Sequence, residues 1–386
     1  MVVTNCGQLK ITRKLNTLDT DVFQMPVFSD QTLRDVGRRI YSACGTPADE
    51  AALVTDVLVD ANLMGYDSHG IIQTSFYVSE YHKGKIVPGA SIATEKDSAG
   101  AAVLNGNKNY GIVAAMRATE LAVAKAKEHH VACVTVHNGH HVARLGAYIE
   151  AAARNHNVVC IAAASWPING HYVAPWGGRE GRLATNPFAC AIPTDGGDPL
   201  ILDMSTSAIS EGKIRLARHK DQLLPENMVQ DEAGAKTCDP HEFYGSEAGR
   251  VGPQKPVGSI LPFGGPQGFK GFGLSVLVEV LTGTLSGHLI TDRSLYGNRY
   301  CCIAIDADYF VGGGGYGDLI DSLTAYLKET PPAQGFDGVI LPGEYQFRRK
   351  EERLNAGISM DDETWDQILE AAKSVDVDLS GIDTNG

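Results

Sequence analysis

The stretch APWGGREGRLATNPFACAIPTDGGDPLILDMSTS, residues 174–207, decides how the rest of the chain is read. Two short apolar runs, residues 188–193 and 200–204, read as strands joined by a polar turn around Gly196 and Gly197. A loop with Pro175, Trp176, Gly177 and Gly178 precedes them, and the small hydroxyl residues Ser205, Thr206 and Ser207 follow. Small side chains let a flat, phosphate-bearing ligand approach the backbone, and free N–H and O–H groups can bind its oxygens. The same residues also read as two strands of an ordinary sheet with a tight connection.

Residue identities add to this pattern. APWGG, TNPFACAIP and ILDMSTS, in this order and spacing, resemble the malate/L-lactate dehydrogenase family, which is distinct from the Rossmann-type enzymes. Ureidoglycolate dehydrogenase, sulfolactate dehydrogenase, diketogulonate reductase and piperideine-2-carboxylate reductase are members. The likeness continues through DSHG (residues 67–70), FKGFGLSVLVEVLTGTLSG (269–287) and LPGE (341–344), and spans roughly residues 29–380. It implies an α/β (α+β) fold, with a helical domain and a nucleotide domain on a mainly antiparallel mixed sheet that is not a Rossmann fold. It also implies a homodimer with active sites near the interface. The implied activity is hydride transfer between NAD or NADP and a 2-hydroxy/2-oxo acid or related ketone.

The whole chain sets bounds. Its 386 residues suffice for two domains and a sizeable core. The net charge of −13 argues against nucleic-acid or anionic-membrane partners, which need a basic face. No apolar run reaches the ~18 residues of a membrane span. The N-terminus lacks the apolar core of a secretory signal, which points to a cytoplasmic protein, while Arg13 and Lys14 leave organellar import open. Cys6, Cys44, Cys133, Cys160, Cys190, Cys238, Cys301 and Cys302 form no C-x-x-C pair, so buried reduced thiols are expected, with no metal framework.

Residues 1–28 read as an extended arm. Ser29 or Asp30 caps a helix with Leu33, Val36, Ile40 and Cys44 on one face, ended by Gly45. Thr46 caps the next, with Pro47 at its first position, and DSHG follows at a helix junction before a helix over residues 71–82. Further helices are predicted over residues 111–129, 142–155, 271–285 and 317–328, with strands at 131–136, 158–164 and 300–306. Residues 219–260 read as a long polar flap, and Ser359 as the cap of a last helix with Trp365 and Ile368. Residues 1–110 with 300–386 are expected to form the helical domain, and 111–299 the nucleotide-binding domain. Gly312, Gly314 and Gly317 match G-x-G-x-x-G with Asp337 twenty residues on, but no strand feeds them directly, as a Rossmann turn requires.

Two histidines are candidates for one proton. His69 lies between Ser68 and Gly70, where Asp67 and Ser68 can orient its imidazole and Gly70 admits a substrate. The resemblance implies that it lines the active site as a proton donor. His140 and His141 sit where a helix is predicted to open, and a helix N-terminus favours the neutral imidazole. The resemblance makes His141 the other acid/base candidate, and Ser68 a substrate contact.

The family pattern carries Arg four residues past the S-H-G histidine and Tyr four further on. Here Gln73 and Tyr77 occupy these positions. A neutral amide does not replace a charge-assisted fork on a carboxylate. Either Arg144, one helical turn from His141, compensates, or the substrate is a cyclic imine or another atypical compound. A catalytically silent nucleotide-binding protein is a further reading. Ser165, Trp166 and Pro167 replace the family's T-N-S, so the pocket is altered there. For the cofactor, the resemblance implies Ser165, Asp203, Met204, Ser205, Thr206, Phe269, Lys270, Gly343 and Glu344. Lys270 has its own physical reason, since an ammonium beside exposed N–H groups at a helix start favours phosphate.

Overall fold

The computed structural model describes residues 25–383 apart from 168–169, 246–255, 293, 295 and 313–314. Most of the expected N-terminal arm, with Cys6, Arg13 and Lys14, lies outside the described residues, as does Gly314.

The helical part begins as the apolar spacing requires. Ser29 caps α1 (Asp30–Ala43), its Oγ accepting the Thr32 N–H at 3.0 Å. Leu33, Val36 and Ile40 are fully buried on one face. In α2 (Ala48–Leu63) the cap is Pro47, not Thr46, because its extended ψ of 146° keeps it outside the helix. The two helices pack so closely that a Cβ on Gly37 would meet Thr55 at 2.6 Å. A single 3-10 turn, Asp67–His69, leads into α3 (Gln73–His82). From the far end of the chain, β12 (Ile358–Ser359) pairs with β1 (Val27–Phe28). The last helix, α12 (Asp362–Lys373), is capped by Asp361 in place of Ser359, and stacks Trp365 on Phe28 at 4.4 Å.

A seven-stranded mixed sheet forms the centre, in the order β2-β3-β4-β11-β5-β6-β7. These strands are β2 (Ala93–Asp97), β3 (Ala101–Asn105), β4 (Val131–His137), β5 (Val158–Ser165), β6 (Phe188–Ile192), β7 (Leu200–Met204) and β11 (Arg299–Asp306). Only β3 and β4 run parallel; every other neighbouring pair is antiparallel. β11, antiparallel to both β4 and β5, leads into α9 (Ala307–Val311), which separates it from the glycines before α10 (Tyr316–Lys328). No Rossmann crossover is built there. The boundaries expected at 110/111 and 299/300 pass through this sheet, which takes β2, β3 and β11 from the flanking segments.

Helix α4 (Gly111–His129) has the predicted limits and buries its Ala-rich face, while its Thr119 bonds the Tyr300 hydroxyl of β11 at 2.7 Å. Helix α5 is shorter than expected, Gly146–His156. Asn138 and Ala143 have positive φ (54° and 52°), which no α-helix accepts, and the Val142 N–H is taken by the Asn298 side chain at 3.0 Å. The polar stretch read as a flap is partly ordered. After α6 (Glu211–His219), β8 (Val229–Gln230), β9 (Lys236–Thr237), α7 (Pro240–Tyr244) and β10 (Ser259–Ile260) enclose a second small core around Ile214, Phe243 and Ile260. Helix α8 (Gly268–Glu279) runs on as a π turn over Val280–Thr284. A charged helix, α11 (Glu344–Ala356), precedes β12 and buries no residue fully. Among the described residues, no helix is long and apolar enough to cross a membrane.

Candidate active site

The turn that carries His69 is held from two directions. Asn62 of α2 accepts the Ile71 N–H at 2.8 Å and donates to Asp67 at 2.9 Å. Arg353 of α11 forks onto both Asp67 oxygens, at 2.6 and 3.0 Å. Gly70 is required here, since a Cβ would lie 2.2 Å from Asn62 Oδ1. Asp67 therefore anchors the turn rather than the imidazole. Ser68 does meet the ring, its Oγ 3.1 Å from His69 Nδ1.

The His141 ring stacks beside His69 with centroids 5.8 Å apart. Its Nδ1 lies 3.0 Å from the Tyr77 hydroxyl, one turn along α3 from Gln73. Gln73 donates Nε2 to the Ser68 carbonyl at 2.6 Å. His140 is buried behind them, 5.1 Å from the Phe76 ring, with Nε2 3.8 Å from a Glu80 carboxylate oxygen and no hydrogen bond on either nitrogen. Trp166 and Tyr296 close this side, 5.6 Å from each other, with Trp166 6.3 Å from His141.

The predicted helix N-terminus is absent at His140 and His141, so the dipole does not set their charge. Burial does: it lowers His140 to about 4, against the pull of Glu80. His141 lies well below the usual histidine range because of burial, reinforced by His69 and His140. Burial also lowers His69, with Asp203 pulling the other way and Arg144 adding to the depression.

Asp203 at the end of β7 ties the sheet edge to the histidines. Its carboxylate accepts the Gly146 N–H at 2.7 Å and interacts with both Arg144 and His69. Burial raises its pKa, partly offset by these groups. Arg144 is 3% exposed and already committed, with Nη2 2.7 Å from Asp60 and 3.3 Å from Glu150. Burial opposes its charge, but Asp60, Asp203 and Glu150 outweigh that and raise its pKa. Lys350 shares Asp60 at 2.6 Å.

The hydroxyl run expected to face a ligand is turned inward. Ser205 and Thr206 each donate to the Thr185 carbonyl at 3.0 Å, and Thr206 is fully buried. Buried hydroxyls take the nearest acceptor, here the strand-entry loop. Met204 is half-buried. Ser165 is also fully buried and accepts from Thr282 at 2.7 Å. Phe269 and Lys270 differ. Phe269 is 51% exposed and makes an edge contact with the exposed Trp176 at 6.2 Å. Lys270 is exposed in the first turn of α8, with no ion pair among the described residues. A free cation, helix N–H groups and open aromatic faces fit the phosphates and flat bases of a nicotinamide nucleotide. Gly343, with φ +96°, and Glu344 lie at the turn end of β7, where the Pro342 carbonyl takes the Ile201 N–H at 3.0 Å. The Glu344 carboxylate is bound by Lys328 and the Leu341 N–H. Glu344 borders a cavity of about 590 Å³ lined also by Phe347 and Arg348, to which neither His69, His141 nor Lys270 contributes.

Sequence reasoning missed Asn62, Arg353, Phe76 and Tyr296. The first two act through tertiary contacts that no local pattern announces. Phe76 was legible, being adjacent to Tyr77 on the face that carries Gln73. Among the described residues, no group of three or more His, Cys, Asp or Glu side chains is arranged to hold a metal.

This is the fold of an oxidoreductase, as comparison with known proteins bears out. Hydroxycarboxylate dehydrogenase B of Escherichia coli (strain K12) is 32% identical over 357 residues, covering 90% of this chain and 94% of that one. L-sulfolactate dehydrogenase of Methanothermobacter thermautotrophicus is 31% identical over 350 residues, covering 89% and 95%. The solved sulfolactate dehydrogenase of Methanocaldococcus jannaschii superposes with a TM-score of 0.79 at 30% identity, covering 91% of this chain and 98% of that one. The profile of the malate/L-lactate dehydrogenase family matches residues 28–369, and the chain belongs to that family.

Proposed function

We propose that the protein moves a hydride between a nicotinamide nucleotide, NAD or NADP, and the carbinol or carbonyl carbon of a small 2-hydroxy/2-oxo acid or related ketone. The observation that carries this reading is the meeting of His69, His141 and Asp203 at one sheet edge. The nucleotide, when bound, supplies or accepts the hydride. Lys270 holds its phosphates beside Phe269 and Trp176. His69 exchanges the proton on the substrate oxygen, because Asp203 favours its charged form whereas both histidine neighbours of His141 oppose charge there. His141, held by Tyr77, orients the substrate oxygen.

The site works as a homodimer in this reading. Leu319, Leu323, Tyr326 and Leu327 of α10 are all more than 40% exposed, an apolar face suited to a second copy. Mixing the protein with NADH or NADPH and a panel of 2-oxo acids, ketones and cyclic imines tests the activity, and light scattering tests the dimer. Absence of nucleotide binding by fluorescence titration rejects the reading.

A further inference from the structure

We propose that the substrate is an uncharged ketone bearing a flat apolar substituent, and that Gln73 sets this preference against 2-oxo carboxylates. This rests on the hydride-transfer reading above and narrows it.

The charges around the two imidazoles lead to this class. Arg144 is the cation that acts on the pair of His69 and His141 among the described residues, and three carboxylates already claim it. Lys85 lies on the His140 side, with its ammonium over the Tyr296 ring at 4.3 Å. Both imidazoles are pushed toward the neutral form. Asp203 brings a negative charge up to His69. A substrate carboxylate at the two imidazoles would lose water, find no cation beyond the committed Arg144 and the proton that His69 gives up in the reaction, and sit beside a fixed anion. The amide of Gln73 is fixed by its partner. The Ser68 carbonyl only accepts, so Nε2 must face it, and Oε1 remains as an uncharged acceptor.

The walls favour the same ligand. Phe76 and Trp166 are half-buried, so part of each ring stays open, while the Tyr296 ring carries the Lys85 ammonium over one face. Phe76 lies edge-on to His141 at 6.5 Å, and Trp166 lies 6.3 Å from the same ring on a tilt. Open aromatic faces select flat apolar groups, while the few polar atoms orient the reacting bond. In the reduction, hydride from the dihydronicotinamide adds to the carbonyl carbon. The C=O π pair moves to oxygen, which takes a proton from the His69 imidazolium. A secondary alcohol and oxidised nicotinamide result.

A matched pair tests this: benzoylformate and its methyl ester carry the same ring and ketone and differ in charge. With NADH or NADPH, the ester should show a kcat/KM about 10-fold or more above that of the acid. Gln73→Arg should raise kcat/KM for the acid by about 10- to 100-fold through a bidentate pair. Calorimetric titration of benzoylformate into nucleotide-free protein should show tighter binding to the Gln73→Arg variant than to wild type. Equal or faster reduction of the acid by wild type overturns the substrate class and leaves hydride transfer standing. Reduction of neither compound with either nucleotide overturns both.

Discussion

The Tyr77 hydroxyl lies 3.0 Å from Nδ1 of His141 and 3.3 Å from the carbonyl of the same residue. One side chain of α3 thereby fixes both the ring and the backbone of a residue 64 positions away. Tyr77→Phe keeps the packing but leaves a buried ring nitrogen without its partner. Stability should fall by about 1–3 kcal/mol, read from denaturant midpoints. The rate of ketone reduction should fall with it, while nucleotide affinity stays as in wild type.

Replacing His69 separates the two histidines. His69→Asn should lower kcat by about 10²- to 10⁴-fold, the usual contribution of a positioned acid/base. Because burial lowers the His69 pKa, its acid form is lost as pH rises through a value below 6.5. Reduction should therefore decline, and oxidation of the alcohol rise, across that point. A profile of wild-type reduction that stays flat from pH 5 to 8, with hydride transfer rate-limiting, excludes His69 from this role.

His140 governs stability at mildly acid pH. Its folded-state value of about 4 lies below the ordinary 6.5, so between these values the unfolded chain binds the extra proton. Its contribution is fully present above pH 6.5 and is lost progressively as pH falls toward 4. His140→Phe, suited to the surrounding Phe76, Trp166 and Tyr296 rings, should flatten thermal stability over this window. Identical pH dependence in wild type and variant would count against the assignment.

Arg144 is the hub of a buried charge cluster. Arg144→Met leaves Asp60, Asp203 and Glu150 facing one another, with Lys350 still on Asp60 and Arg154 still on Glu150. Loss of one partner from a buried ion pair costs about 3–5 kcal/mol, which chemical unfolding should reveal. Lysine at 144 should recover part of this, since it keeps the charge but not the planar fork.

Lys270 is exposed and makes no ion pair among the described residues, so its loss should leave folding intact. Lys270→Ala should weaken nucleotide binding by about 10-fold at low salt, with a smaller difference at high salt. Titration of NADH or NADPH fluorescence at two ionic strengths measures both effects.

Much of this was legible where one physical signal dominated. The Ala-rich period of residues 111–129 has no competing turn residue, and α4 occupies those limits. The two strands after residue 187 follow from their apolar pattern, and the mainly antiparallel sheet is what the family resemblance implied. The failures have separate causes. Strand β2 is exposed at every position, so ATEKD carries no apolar alternation to announce it. Residues 142–145 look helical, yet the Asn298 side chain, 156 positions away, captures a backbone donor there. The hydroxyls of residues 205–206 look free in sequence, but the carbonyl that takes them belongs to residue 185. Gln73 shows the reverse case: a single unexpected residue whose meaning became specific once its partner, the Ser68 carbonyl, was known.

The latch between Arg353 and Asp67 joins residues 286 positions apart. The histidine-bearing turn thus receives its final anchor only after residue 353 has left the ribosome, later than every strand of the central sheet. A chain halted before residue 353 would hold every strand of that sheet and still lack the latch, so activity would trail behind sheet formation during synthesis.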